Sequence, residues 1–171
     1  MSDWESSTYG NPCRECDFDC TISIDDAVLL VSRLPNSMSE LVSGTTGGER
    51  RPDLAWSVGA YVCHVADNLR IWAERLIGVV EGGPLEVGGY DEKQLASARN
   101  YERIPLQAAL WSLRRSVEDW LSAVQRSPRV GTVMLHPERG ELTLDDVTLS
   151  NAHDAFHHCW DIRTTLDAAG A

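Results

Sequence analysis

At 171 residues, with 43% hydrophobic side chains, the chain is long enough for one domain with its own apolar core and too short for two. A formal charge of −11, with no Lys/Arg-rich run and no RNA-binding motif, excludes a phosphate-tracking surface, so nucleic acid is not an expected partner. No apolar run reaches membrane-spanning length and the polar, acidic N-terminus has no signal-peptide pattern, so the expected setting is cytoplasmic, without a membrane partner.

Residues 1–22 read as a Cys-containing N-terminal tail and residues 23–171 as the helical domain. Five cysteines is an odd count, which fits reduced thiols better than a disulfide framework. Cys13-Arg-Glu-Cys16, followed by Cys20, has a spacing that zinc accepts, but it is half a site. No second Cys-x-x-Cys or His-x-x-x-Cys pair follows, and the Ser, Gly, Asn and Pro residues at positions 6 to 12 fit a mobile tail.

Ser23 and Asp25 can cap a first helix carrying Val28, Leu29, Val31, Leu34, Met38, Leu41 and Val42 at helical spacing. Pro35 should kink or split it near residue 34, because proline removes a backbone donor and crowds the preceding turn. A second helix opens at Ser57, after Trp56, and runs to about Val80, where Glu81-Gly-Gly-Pro84 stops it. It holds His64 on its flank, roughly 120° from the apolar centre, with Cys63 beside it as a small apolar residue.

Residues 82 to 104 form a long connection with a short helical piece around Glu92–Ala98, and such loops often serve as lids or binding walls. Tyr90, Asp91 and Tyr101 on it are candidates to line a pocket. Pro105 suits the first turn of a third long helix, which Ser127-Pro128 breaks. Alternating apolar residues around His136-Pro-Glu-Arg-Gly140 suggest a short hairpin, with His136 in its turn and solvated. Thr143 and Asp146 then resemble a capping box that opens a last helix running to about Ala168.

That last helix carries the densest chemistry, Asn151-Ala-His-Asp-Ala-Phe-His-His-Cys-Trp-Asp-Ile162. Residues four apart share a face, so two rival ligand pairs exist, Asp154 with His158 and His153 with His157. At about 100° per residue, Val147, Ala152, Ala155, Cys159, Ile162 and Leu166 fall in a sector of roughly 140° that should face the core. His158 lies inside it and Asp154 at its edge, whereas His153 and His157 point toward solvent. Asp154 and His158 are therefore the favoured inward ligands, and His64 is the better third ligand, ahead of His136. A carboxylate and two imidazoles suit zinc and similar divalent ions, and three protein ligands leave a coordination position open. Four amphipathic helices without βαβ alternation give an all-α fold, a four-helix bundle with a short hairpin before the last helix.

Trp56-Ser57-Val58 leading to His64-Val-Ala-Asp67, together with His153-Asp-Ala-Phe-His-His-Cys-Trp-Asp-Ile162, resembles the DinB/YfiT-like family of metalloenzymes over nearly the whole chain. The opening Cys13-Arg-Glu-Cys16-Asp-Phe-Asp19 is similar to that of an actinobacterial branch. The resemblance implies a divalent metal, zinc first and nickel next, on His64, Asp154 and His158. The family's ligands are usually all histidine. An aspartate at 154 matches a branch similar to mycothiol-dependent maleylpyruvate isomerase, yet leaves the His153/His157 register open. It further implies chemistry on a low-molecular-weight thiol such as mycothiol, as transferase or isomerase acting on a small molecule, and often a homodimer. In that scheme Asp67 and Asp161 orient the imidazoles of His64 and His158 or assist proton transfer. The alternative is a binding or sensor protein that uses the same metal without turnover.

Overall fold

A computed structural model of the chain describes residues 8–170; residues 1–7 of the expected tail and residue 171 at the end of the expected domain lie outside the described residues. Four long helices build the fold, α1 (Ile24–Leu41), α2 (Val58–Val80), α4 (Leu106–Arg126) and α5 (Leu144–Ala169). Between them lie a short α3 (Glu92–Arg99), a 3-10 turn (Tyr101–Arg103) and a hairpin of β1 (Val133–His136) and β2 (Gly140–Thr143). No helix among the described residues is long and apolar enough to cross a membrane.

The helix starts are those their side chains encode. Ser23 accepts from the backbone N–H of Asp26, Ser57 from Ala60, and Asp91 from Lys93 and Gln94, each satisfying donors that the first turn leaves unpaired. Thr143 and Asp146 form the full reciprocal capping box at the head of α5. Pro35 does not split α1: the helix is continuous through it, with the ring buried in the core beside Leu34 and Met38. Burial of an apolar ring there favours the intact helix.

The long helices pack as a ring in which α4 lies against α2 and α1, and α5 against α1 and α2. Helices consecutive in sequence, α1 with α2 and α4 with α5, are thus not principal neighbours, and α2 meets α5 directly. Trp120, Leu69, Leu76, Leu113, Met38 and Ile162 fill the centre. The first three turns of α2 are buried all round, Val58 to Leu69, which forces His64, Asp67 and Asn68 inside with the apolar residues.

Two connections shape what lies above the α2–α5 seam. The backbone N–H of Gly59 donates to Gly47 at 2.8 Å, and a side chain at Gly59 would sit 3.1 Å from that oxygen; glycine there lets the loop press on α2 and lay Trp56 beside His64. The hairpin pairs Val133 with Thr143 through His136 with Gly140, and residues 85–87 add to β1 by backbone bonds from Val87 to Leu135 and from Leu135 to Leu85. His136 is therefore not a solvated turn residue. It ends a strand and is buried, its ring stacked on Trp72.

The N-terminal segment also departs from a mobile tail. Cys13, Cys16, Phe18 and Cys20 are buried, and the chain curls on itself through bonds from Cys13 to the Phe18 carbonyl and from Asp17 to the Cys13 carbonyl. Its apolar side chains need cover, and α5 supplies it: Phe18 stacks on His153 at 5.0 Å between ring centres.

Trp120 on α4 donates its indole N–H to Asn151 on α5 at 2.8 Å, both groups fully buried. Trp120→Phe leaves that amide oxygen without its donor in the core, which costs about 1–3 kcal/mol. Urea unfolding should show a lower midpoint at unchanged slope.

Candidate metal centre

α2 carries His64 and α5 carries Asp154 and His158, and the seam between these helices brings the three together, with one donor atom of each within 4.8 Å of the others. Asp154 Oδ1 lies 3.5 Å from His64 Nε2 and 3.5 Å from His158 Nε2. Zinc bonds of about 2.0–2.2 Å to nitrogen and oxygen separate tetrahedral ligand atoms by roughly 3.3–3.5 Å, so this spacing already fits. The imidazoles meet edge to face, 4.7 Å between centres, with Trp56 and Tyr61 packed on their outer sides.

Two of the three donors, His158 and Asp154, are aimed by a second group. Asp161 Oδ2 is 2.8 Å from His158 Nδ1, so the carboxylate accepts from Nδ1–H and leaves Nε2 for the centre. Asn68 donates to Asp154 Oδ2 at 2.9 Å, which leaves Oδ1 facing the histidines, and Tyr90 donates to the Asn68 carbonyl oxygen at 3.0 Å. Burial, with Asp154 adding to it, pushes the Tyr90 phenol well above its ordinary range, so it remains a donor at neutral pH. Asp67 is engaged elsewhere. It accepts from Tyr101, Arg99 and Arg70, on the flank of α2 that faces the 3-10 turn, and no contact with His64 is among its partners. Tyr101 is thereby a buried strut for Asp67 and does not line the cavity.

The three donors line a cavity of about 860 Å³. His64, Asn68, Trp72 and Arg75 form one stripe of α2 along it; Tyr90, Asp91 and Lys93 come from the long connection, and His136 and Arg139 from the hairpin. Arg75 stacks on Trp72 at 4.4 Å and reaches the Gly88 carbonyl, while Arg139 donates to Ser150 at 2.8 Å. Three cationic side chains, Arg75, Lys93 and Arg139, thus border the cavity together with the carboxylates of Asp91, Glu92, Glu138 and Asp154. Burial, then Arg139 and Arg75, pull the His136 pKa down, and its Nδ1 accepts from the Glu138 N–H, so a neutral Nε2–H is the tautomer left. The sequence reading missed Asn68, Trp72, Arg75 and Arg139, and it set His136 aside as a solvated turn residue. The first three were within reach, being four, eight and eleven residues beyond His64 on one helical stripe.

His153 and His157 do not point to solvent. The N-terminal segment covers that flank of α5 and brings them to Cys13 and Cys16, with one donor atom of each of the four within 4.8 Å of the others. Burial pushes Cys63 up to about 12 and Cys159 up to about 11, so neither is a nucleophile at neutral pH and both act as small packing groups.

The family model of the DinB superfamily matches residues 31–162. Among solved structures the chain is similar to YfiT from Bacillus subtilis, described as a probable metal-dependent hydrolase with an unusual four-helix bundle topology. The likeness has a TM-score of 0.77 at 18% identity and covers 88% of this chain and 91% of that one, which speaks for a common fold. No curated protein matches the sequence closely.

In protein freed of divalent ions, burial pulls His158 down but Asp154 and Asp161 outweigh it and raise it to about 10, while burial of Asp154 is outweighed by His158 and His64, which hold its carboxyl well below the carboxylate range. A raised histidine contributes stability that is complete below its unfolded pKa of about 6.5 and is lost as pH climbs toward 10; the depressed carboxylate contributes above about 4 and is lost in acid. The stability difference between wild type and His158→Gln, both treated with chelator, should therefore shrink as pH is raised from 6.5 to 10. A difference constant across that range, in parallel denaturant titrations, contradicts the pairing.

Proposed function

The chain belongs to the DinB superfamily, and from that premise we propose that it is a metal-dependent enzyme in which His64, Asp154 and His158 hold one divalent ion facing the cavity. The reaction is transfer to, or isomerisation of, a small electrophile by a low-molecular-weight thiol of the mycothiol type. One observation carries the reading: three donors from two helices converge at coordination spacing in the wall of a cavity large enough for a thiol cosubstrate and a second small molecule.

Two imidazoles and one carboxylate suit zinc first and nickel next, and a set of three leaves a position for substrate. An ion held there supplies Lewis acidity and favours the deprotonated form of a thiol at neutral pH. The protein does the rest. Asp161 keeps His158 in the tautomer that turns Nε2 inward, and Asn68 with Tyr90 holds Asp154 in a single orientation. Arg75, Lys93 and Arg139 border the cavity as cations and would orient a carboxylate on the substrate. The neutral Nε2–H of His136 is a further donor on the same wall. The description of YfiT as a hydrolase favours a second reading, in which water takes the place of the thiol at the same site.

His158→Ala and His64→Ala should each lose the metal of this centre by elemental analysis and lose turnover with it. Asp161→Asn should keep the fold and weaken metal affinity by about 10–100-fold. Anaerobic assays of metal-loaded protein with mycothiol and an electrophile separate the readings: turnover that needs the thiol supports transfer, and ester or amide cleavage without it supports hydrolysis. Stoichiometric uptake with no product would assign a binding protein. A rate unchanged in His158→Ala would remove the centre from the mechanism.

A further inference from the structure

The geometry points to a second metal site, separate from the first: we infer that Cys13, Cys16, His153 and His157 bind one zinc ion that clamps the N-terminal segment to α5. All four donors lie within 4.8 Å of one another, and Cys13 Sγ is 3.9 Å from His157 Nδ1. A tetrahedral zinc with bonds of about 2.3 Å to sulfur and 2.0–2.1 Å to nitrogen needs ligand atoms roughly 3.3–3.8 Å apart, so closing the shell takes separations shortened by at most about 1.5 Å. The spacing is that of a Cys₂His₂ site, Cys-x-x-Cys and His-x-x-x-His, contributed from opposite ends of the chain.

Two further features fit an ion here. Glu15, between the two cysteines, places Oε2 3.2 Å from His157 Nε2, which is the carboxylate support that metal-bound imidazoles carry on their other nitrogen and which leaves Nδ1 for the ion. The site is also dry: Cys13, Cys16 and His153 are no more than 5% exposed, with Phe18 stacked on His153 and Tyr9 edge-on to it. Two thiolates and two neutral imidazoles neutralise a divalent cation, so the buried complex has no net charge; on binding, each cysteine gives its proton to solvent. Four protein ligands leave no open position, which marks the role as structural. Tyr9, His153 and His157 also line the cavity of the first site, so the clamp would hold one of its walls in place.

Cobalt(II) distinguishes the two sites because only this one contains sulfur. Anaerobic, reduced wild-type protein loaded with cobalt should show a thiolate-to-cobalt charge-transfer band in the near ultraviolet and intense tetrahedral d–d bands. Elemental analysis should find two metal equivalents per chain. The charge-transfer band should vanish in a Cys13→Ser/Cys16→Ser double variant, with one equivalent lost, and persist in His64→Ala/His158→Ala and in Cys20→Ser. Glu15→Gln should release zinc to a chromogenic chelator faster than wild type while keeping the band. A wild-type spectrum without the charge-transfer band overturns the site even if a variant fails to fold. So does a band that survives the double cysteine variant or disappears with Cys20→Ser. Loss of metal confined to the cysteine double variant would instead refute the first centre and leave this one standing, and loss confined to the His64/His158 variant would overturn this one.

Discussion

Asp154 is the group on which the α2–α5 seam depends. A carboxylate between two imidazoles at a helix interface is stable only if its charge is answered on every side, and His64, His158 and Asn68 answer it from three directions. An apolar residue at 154 would pack the seam as well or better, since buried ion pairs seldom stabilise more than hydrophobic packing. The arrangement is one that serves binding: the same contacts that compensate the charge set the donor atoms at the spacing a divalent ion requires.

The cavity follows from how the bundle is connected. Because α2 meets α5 and not α1 as a principal neighbour, the polar stripe His64, Asn68, Trp72 and Arg75 runs along an edge that no long helix closes. The connection through Gly88 and Tyr90 and the hairpin cover that edge, tied together by the backbone bonds between residues 85–87 and β1. Elements with few helical contacts thus form the outer wall, while the metal donors stay on two helices whose positions the core fixes, a division that keeps a site geometrically tight and its entrance adaptable.

The apolar sector of α5 pointed to Asp154 and His158 as the pair toward the bundle, and that pair lies beside His64; Ser57, Thr143 and Asp146 marked the helix starts by the bonds they make. The same periodicity misplaced His153 and His157. A helical wheel has one inside, but α5 has two covered flanks, one against the bundle and one under residues 9–18. That segment is short and irregular, with no period to read, and its partner residues lie about 140 positions away in sequence. His136 was misread for a related reason, since its burial comes from Trp72 on α2 and not from its own strand. Asp67 lies three residues beyond His64, about 60° round the helix and nearly one turn along, and its carboxylate is held there by Tyr101 and Arg99.

Consecutive residues His157 and His158 belong to different clusters, about 100° apart on one helix. Any rotation of α5 about its axis would therefore move both donor pairs together, improving one set only by spoiling the other. Three separate features hold that rotation: the capping box at Thr143 and Asp146, the Trp120–Asn151 bond from α4, and the contact of His153 with Phe18 and Tyr9. They act on different faces of the helix, the first at its head, the second toward α4 and the third toward the N-terminal segment. Loss of any one would leave the other two to fix the angle, but the third, at His153, is the nearest to Asp154 and His158. The N-terminal segment is in this sense part of the centre, although none of its residues comes from the bundle.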